Sequence, residues 1–186
     1  MPEPKAELRD RLRAARRRRD TAALDAAGAA LAGHAAALPG ATVAAFVGVR
    51  TEPPTLPLLD ALRHRGIRVL LPVLEPDLDL DWADYAGAEG LAAGRLGMRE
   101  PCGPRLGRDG IVLADLVLAP ALAVDEAGRR LGQGGGSYDR ALPRARARVL
   151  AVVFDDELIG EVPSEPHDIR VAGVLTPGQG VRWFAE

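Results

Sequence analysis

Two spacings of apolar residues divide the chain. Up to residue 38 they recur at helical intervals, and from residue 41 onward they fall into short, unbroken runs. Leu8, Leu12 and Ala15 share one face of a helix predicted over residues 4–19. Asp20 or Thr21 can cap a second, alanine-rich helix, TAALDAAGAALAGHAAAL (21–38), which stops before Pro39-Gly40. His34 lies in that helix and is expected to be structural or to face solvent.

ATVAAFVGV (41–49) and IRVLLPVL (67–74) are continuous apolar runs, as strands covered on both faces would be. TLPLLDALRHRG (55–66) between them reads as a helix ending on Gly66, so a strand-helix-strand unit and a parallel sheet are predicted. LDLDWADY (78–85) alternates like a half-exposed strand. DLVLAPALAV (115–124), ARVLAVVF (147–154) and VAGVLT (171–176) add three strands, and SYDRALPRAR (137–146) a short helix that Pro143 shortens or kinks. The expected fold class is a single three-layer α/β domain, with helices on both faces of a mainly parallel sheet. It comprises N-terminal helices (4–38) packed on an α/β core (41–182).

Composition narrows the class without changing that picture. The 186 residues are 47% hydrophobic and 27% charged, in keeping with a globular protein. No apolar run reaches membrane-spanning length, and the basic N-terminus lacks the apolar stretch of a signal peptide. The single Cys102 excludes an internal disulfide and any multi-cysteine zinc site, and is itself expected to be incidental. A cytoplasmic protein, and a monomer, is the expectation. Net charge is -2, yet seven arginines crowd between Arg9 and Arg19. With only 4% aromatic residues and no overall basicity, nucleic acid is not the expected partner.

The densest chemical signal is RLGQGGGSYDR (130–140). Gly132, Gly134, Gly135 and Gly136 leave backbone N–H groups open to an anion, and a following helix adds its positive end. Arg129, Arg130 and Arg140 supply counter-charge, and Asp139 a hard oxygen suited to magnesium. A P-loop is excluded because no lysine follows the glycines. A dinucleotide fingerprint fits in part, with Gly132, Gly134 and Ser137 in its slots and Asp155 ending a later strand. That fingerprint must begin directly at a strand end, whereas ALAVDEAGRRL intervenes after Pro120. An NAD(P)-binding oxidoreductase therefore stays as a weaker alternative.

PALAVDEAGRRLGQGGGSYDR (120–140) resembles the signature of the 5-formyltetrahydrofolate cyclo-ligase family, Pro-Gly-x-x-Phe-Asp-x-x-Gly-x-Arg-Leu-Gly-x-Gly-x-Gly-x-Tyr-Asp-Arg. KAELRDRLRAARR, GMREP (97–101) and PSEPHDIRVAGVLTP (163–177), with its His167-Asp168 pair, match further family segments in order. The resemblance implies a Rossmann-like fold of the NagB/RpiA/CoA-transferase kind. It implies ATP as co-substrate, Mg2+, and closure of 5-formyltetrahydrofolate to 5,10-methenyltetrahydrofolate with release of ADP and phosphate. It places Lys5, Ala6, Glu7, Leu8 and Arg9 in the ATP site. Lys5 and Arg9, four apart, share a helix face, which leaves Arg16 to Arg19 as an expected solvated face. Arg130, Leu131, Gly132, Gln133, Gly134, Gly135, Gly136, Ser137 and Tyr138 form the second ATP segment, of which Gln133 to Ser137 also contact folate. Asp139 and Asp168 match the magnesium ligands, and Glu52 and Val47 the folate-binding positions. Lys5 and Arg130 are the implied catalytic cations.

Trp82 and Tyr85 match aromatic positions of the family, although packing is their expected role. Four residues depart from the family pattern: Gln133, Ser137, Ala121 and Val124 replace larger, aromatic or glycine residues. Those changes keep open a folate- or nucleotide-binding homologue without turnover.

Overall fold

The structure, a computed structural model, describes residues 3–165 and 168–185. His167 of the closing motif therefore lies outside the described residues. Helices α1 (Lys5–Arg17) and α2 (Thr21–Gly33) lead into β1 (Thr42–Ala44), α3 (Leu56–His64), β2 (Arg68–Leu74) and β3 (Leu80–Asp84). A hairpin of β4 (Leu91–Ala93) and β5 (Arg99–Pro101) precedes β6 (Leu116–Pro120), and a small ladder pairs β7 (Ala123–Val124) with β8 (Arg130–Leu131). Helix α4 (Ser137–Ala141), β9 (Arg148–Val152), β10 (Gly173–Thr176) and β11 (Gly180–Trp183) complete the order.

The main sheet has seven strands in the order β11-β10-β9-β6-β1-β2-β3. Its five inner strands run parallel, and the edge strands β3 and β11 are antiparallel to their neighbours. Strand alternation splits the core in two. Val43, Leu71, Leu118 and Val152 pack on one side against Leu58, Leu59 and Leu62 of α3. Ala44, Leu70, Val117 and Ala151 pack on the other against Ile111 and Leu142. The expected three-layer α/β class with a mainly parallel sheet is the observed one. No helix among the described residues is long and apolar enough to cross a membrane.

The departures have local causes. The run 41–49 pairs only over Thr42–Ala44, because the chain then folds back on itself: a side chain at Gly48 would stand 2.1 Å from the Pro53 carbonyl oxygen. The run 115–124 stops at Pro120 and resumes as β7 in the separate ladder. There the carbonyls of Pro120 and Ala121 accept from Arg130 and Arg16. Helix α2 is capped by Asp20, which accepts from the Ala23 N–H, and ends at Gly33, with a 3-10 turn carrying the chain to Ala37. His34 bonds the Pro177 carbonyl, a structural role. Pro143 starts a 3-10 turn over Leu142–Arg144, so the helix predicted to residue 146 ends at Ala141. The β4–β5 hairpin and β11 carried no legible run.

The expected solvated face at Arg16 to Arg19 holds for Arg17 and Arg18, which are exposed, and is corrected for Arg16 and Arg19. Arg16 is 1% exposed and donates to both oxygens of Glu157, at 2.7 and 2.8 Å, and to the Ala121 carbonyl at 2.6 Å. Arg19 pairs with Asp156 and lies over the Phe154 ring, its guanidinium carbon 4.0 Å from the centroid. Helical periodicity marks a face but does not show what that face meets. Leu8 and Leu12 complete the contact by packing on Leu122, Ala123 and Val162, which docks α1 over the β7–β8 ladder.

Candidate functional site

The topology opens a crevice at the carboxyl ends of β1 and β6. These strands are adjacent, but β1 continues to β2 on one side and β6 to β9 on the other, so the segments that follow them diverge. Ligands bind open α/β sheets at such a point. The turn containing Glu52 follows β1, and the β7–β8 ladder with the glycine loop follows β6.

Two cavities meet there, with the glycine loop as their common wall. The polar one, about 440 Å³, is lined by Lys5, Ala6 and Arg9 of α1, by Arg130 to Gly132, and by Asp139, Glu165 and Asp168. Of the N-terminal segment, Glu7 and Leu8 do not line it; Leu8 is core. Lys5 Nζ lies 2.8 Å from Asp168 Oδ2 and 3.7 Å from Glu165 Oε1. Arg9 Nε donates to the Gly132 carbonyl at 3.0 Å. Arg130, buried, donates to Asp139 Oδ1 at 2.5 Å and to the Pro120 carbonyl at 3.1 Å, and its Nε has no partner among the described residues. Burial lowers the Arg130 pKa against the pull of Asp139. An anion beside that free N–H would relieve the burial cost.

Three cations thus interleave with three carboxylates, a pattern suited to a polyphosphate with a divalent cation. Among the described residues, no group of three His, Cys, Asp or Glu could hold a metal. Asp139 and Asp168 nevertheless fit magnesium, which commonly takes one or two carboxylates and completes its shell with phosphate oxygens and water. Arg140 donates to the Gly135 carbonyl, whereas Arg129 pairs with Asp125 and Glu161 outside this cavity. Helix α4 spans five residues, so its dipole adds little.

The second cavity, about 210 Å³, is mostly apolar, with walls that include Phe46, Val47, Leu74, Leu80, Leu96 and Met98. Its carboxylates are Glu52 and, on the loop it shares with the polar cavity, Asp139. Glu52 Oε2 accepts from the Val49 N–H at 3.1 Å and Oε1 from the Gln133 side-chain nitrogen at 3.2 Å. Burial raises the Glu52 pKa, opposed by the Val49 hydrogen bond, the Arg16 charge and Gln133. Gln133, Gly135, Ser137 and Tyr138 line this cavity rather than the polar one. The Tyr138 hydroxyl is buried without a partner among the described residues, and burial, then the Glu52 charge, pushes its pKa up, leaving a neutral donor. Trp82 is fully buried, and Tyr85 donates to Asp60 at 2.7 Å, so both pack.

Sequence reasoning missed Leu96 and Arg13. Leu96 sits in the unpredicted β4–β5 hairpin and had no signal. Arg13 sits one turn beyond Arg9 and donates to the Gln133 carbonyl at 2.6 Å, a position helical spacing could have suggested. In GMREP, Met98 lines the apolar cavity, while Glu100 accepts from the Leu74 N–H at 3.0 Å. Asp155, considered for a dinucleotide ribose, instead accepts from Thr176 and the Gly178 and Gln179 N–H groups. The glycine loop follows β8, which among the described residues pairs only with β7, and so does not leave a main-sheet strand as a dinucleotide fingerprint requires.

A model of the 5-formyltetrahydrofolate cyclo-ligase family matches residues 2–177. A 5-formyltetrahydrofolate cyclo-ligase of Mycolicibacterium smegmatis is 45% identical over 189 residues, covering 97% of this chain and 97% of that protein. One of Escherichia coli is 36% identical over 150 residues, covering 76% of this chain and 81% of that protein. Among solved structures, the 5,10-methenyltetrahydrofolate synthetase of Aquifex aeolicus shares the fold, with a TM-score of 0.81 at 24% identity over 98% of this chain and 93% of that one.

Proposed function

The chain belongs to the 5-formyltetrahydrofolate cyclo-ligase family, and we propose that it closes 5-formyltetrahydrofolate to 5,10-methenyltetrahydrofolate, with ATP and magnesium, releasing ADP and phosphate. The observation that carries this reading is the shared glycine-loop wall. It sets a cation-lined cavity against an apolar cavity that holds a partly buried carboxylate, Glu52. A phosphoryl donor and a flat, amide-rich acceptor could meet across such a wall.

A formamide oxygen is a poor leaving group, so nitrogen 10 cannot expel it unaided. Transfer of the γ-phosphoryl group to that oxygen turns it into phosphate. Nitrogen 10 then bonds to the activated carbon and gives up its proton, and the C–O bond breaks as phosphate departs. Phosphoryl transfer needs positioning and charge neutralisation rather than a protein nucleophile. Lys5, Arg9 and Arg130 would supply the positive charge. The N–H groups of Gly132 to Gly136 would orient the phosphates. Asp139 and Asp168 would hold magnesium, whose charge offsets that of the phosphates. Glu52 would take two N–H donors of the folate ring edge, as a carboxylate does from arginine, with Val47 packing on the ring.

The test is turnover. Protein given 5-formyltetrahydrofolate, ATP and magnesium should generate the methenyl product, followed by its near-ultraviolet absorbance, with one phosphate released per product. Absence of both signals at high enzyme concentration would overturn the proposal. Binding of both substrates without phosphate release would identify a non-catalytic homologue instead.

A further inference from the structure

One residue of the glycine loop touches groups on both sides of it. The Gln133 backbone carbonyl accepts from Arg13 Nη2 at 2.6 Å, and its side-chain oxygen lies 3.5 Å from the same nitrogen. Its side-chain nitrogen donates to Glu52 Oε1. The amide suits these partners one way round, with its acceptor end toward the guanidinium and its donor end toward the carboxylate. The other Glu52 oxygen accepts from the Val49 N–H, so the two donors together set the carboxylate plane. Arg13 itself lines neither cavity. It stands four residues beyond Arg9 on α1, and the two arginines hold the consecutive carbonyls of Gly132 and Gln133.

We propose that Arg13 is a positioning residue, which acts through Gln133 to aim the Glu52 carboxylate at the folate ring. The inference rests on the folate role of Glu52 given above. Gln133 is flanked by Gly132 and Gly134, whose lack of side chains leaves the loop little to restrain it. Arg13 supplies that restraint from a docked helix. Without it, the amide and the carboxylate must be ordered at the moment of substrate binding, and affinity falls accordingly.

Steady-state kinetics of six variants test the relay. Arg13→Ala should raise the KM for 5-formyltetrahydrofolate about threefold to tenfold, the worth of one ordinary hydrogen bond, with little change in kcat. Alanine is a strong helix former, so α1 should persist, and an unaltered melting transition checks this. Gln133→Ala should raise KM similarly, and the double variant should be no worse than Gln133→Ala, because both act through one contact. Arg13→Lys should recover part of the loss, since an ammonium can still donate to the Gln133 carbonyl. Arg17→Ala removes an exposed charge from the same helix and should leave KM unchanged. Additive losses in the double variant, or an equal effect from Arg17→Ala, would overturn the relay. If wild type turns over and Glu52→Ala raises KM while Arg13→Ala does not, only the positioning role fails. If Glu52→Ala leaves KM unaltered, the folate role of Glu52 fails instead.

Discussion

Burial opposes the charge of Glu52 and raises its pKa. The raised pKa means that the folded chain keeps the Glu52 proton to a higher pH than the unfolded chain does. The folded state therefore binds more protons across that window, and this residue makes stability fall as pH rises through it. Glu52→Gln removes the penalty. The melting temperature of the variant should exceed that of wild type at neutral pH, and the difference should vanish as pH drops below the ordinary carboxylate range. Folate affinity should move the opposite way, lower in the variant at neutral pH. A wild-type advantage in stability at neutral pH would mean that Glu52 is not held against its burial. The Gln133 departure also acquires a meaning at this scale: an aromatic or basic side chain there would remove the amide that joins Arg13 to Glu52.

At the scale of elements, α1 matters because of what it carries and how it is held. Lys5, Arg9 and Arg13 reach the cavities or their wall, while Arg16 anchors the helix through Glu157, with the pair's side chains 1% and 2% exposed. Glu157 also accepts from the Phe154 N–H, so the ion pair fixes α1 on the chain that leaves β9. Removing one partner strands the other charge in the interior. Arg16→Met should cost about 3–5 kcal/mol in urea unfolding, seen as a lower midpoint at constant slope. A loss below about 1 kcal/mol, the range of exposed pairs, would show that water reaches Glu157. The glycine loop is held similarly, by side chains docked from outside it. Gly134 and Gly136, with φ of 104° and 72°, adopt backbone that other residues rarely take.

For the whole molecule, the polar cavity joins three stretches far apart in sequence: α1, the glycine loop and the segment around Asp168. A ligand that bridges them binds the folded chain and not the unfolded one. A nonhydrolysable ATP analogue with magnesium, at 100 times its Kd, should add about 2.7 kcal/mol and raise the melting temperature by roughly 5–10 °C. Asp139→Ala should lose most of the magnesium-dependent part of that shift. A full shift in that variant across magnesium concentrations would remove Asp139 from the metal site.

The sequence by itself determined the fold class, because buried parallel strands must be apolar throughout and the helices between them must alternate. It also marked the glycine loop, since its glycines and flanking charges are legible locally, whereas Lys5 to Arg9 were marked by the family resemblance and only Lys5, Ala6 and Arg9 of that segment line the polar cavity. Strand ends were legible only to within a few residues: 41–49 and 115–124 stop pairing where the chain turns back or where arginines take its carbonyls. The tertiary structure alone decided which side of the loop each residue faces. Gln133, Ser137 and Tyr138 turn to the apolar cavity, and Arg16 turns inward to Glu157. A helical or loop pattern states that a face exists, but its partner lies far along the chain, 141 residues for Arg16 and Glu157 and 81 for Gln133 and Glu52, and only packing brings the two together.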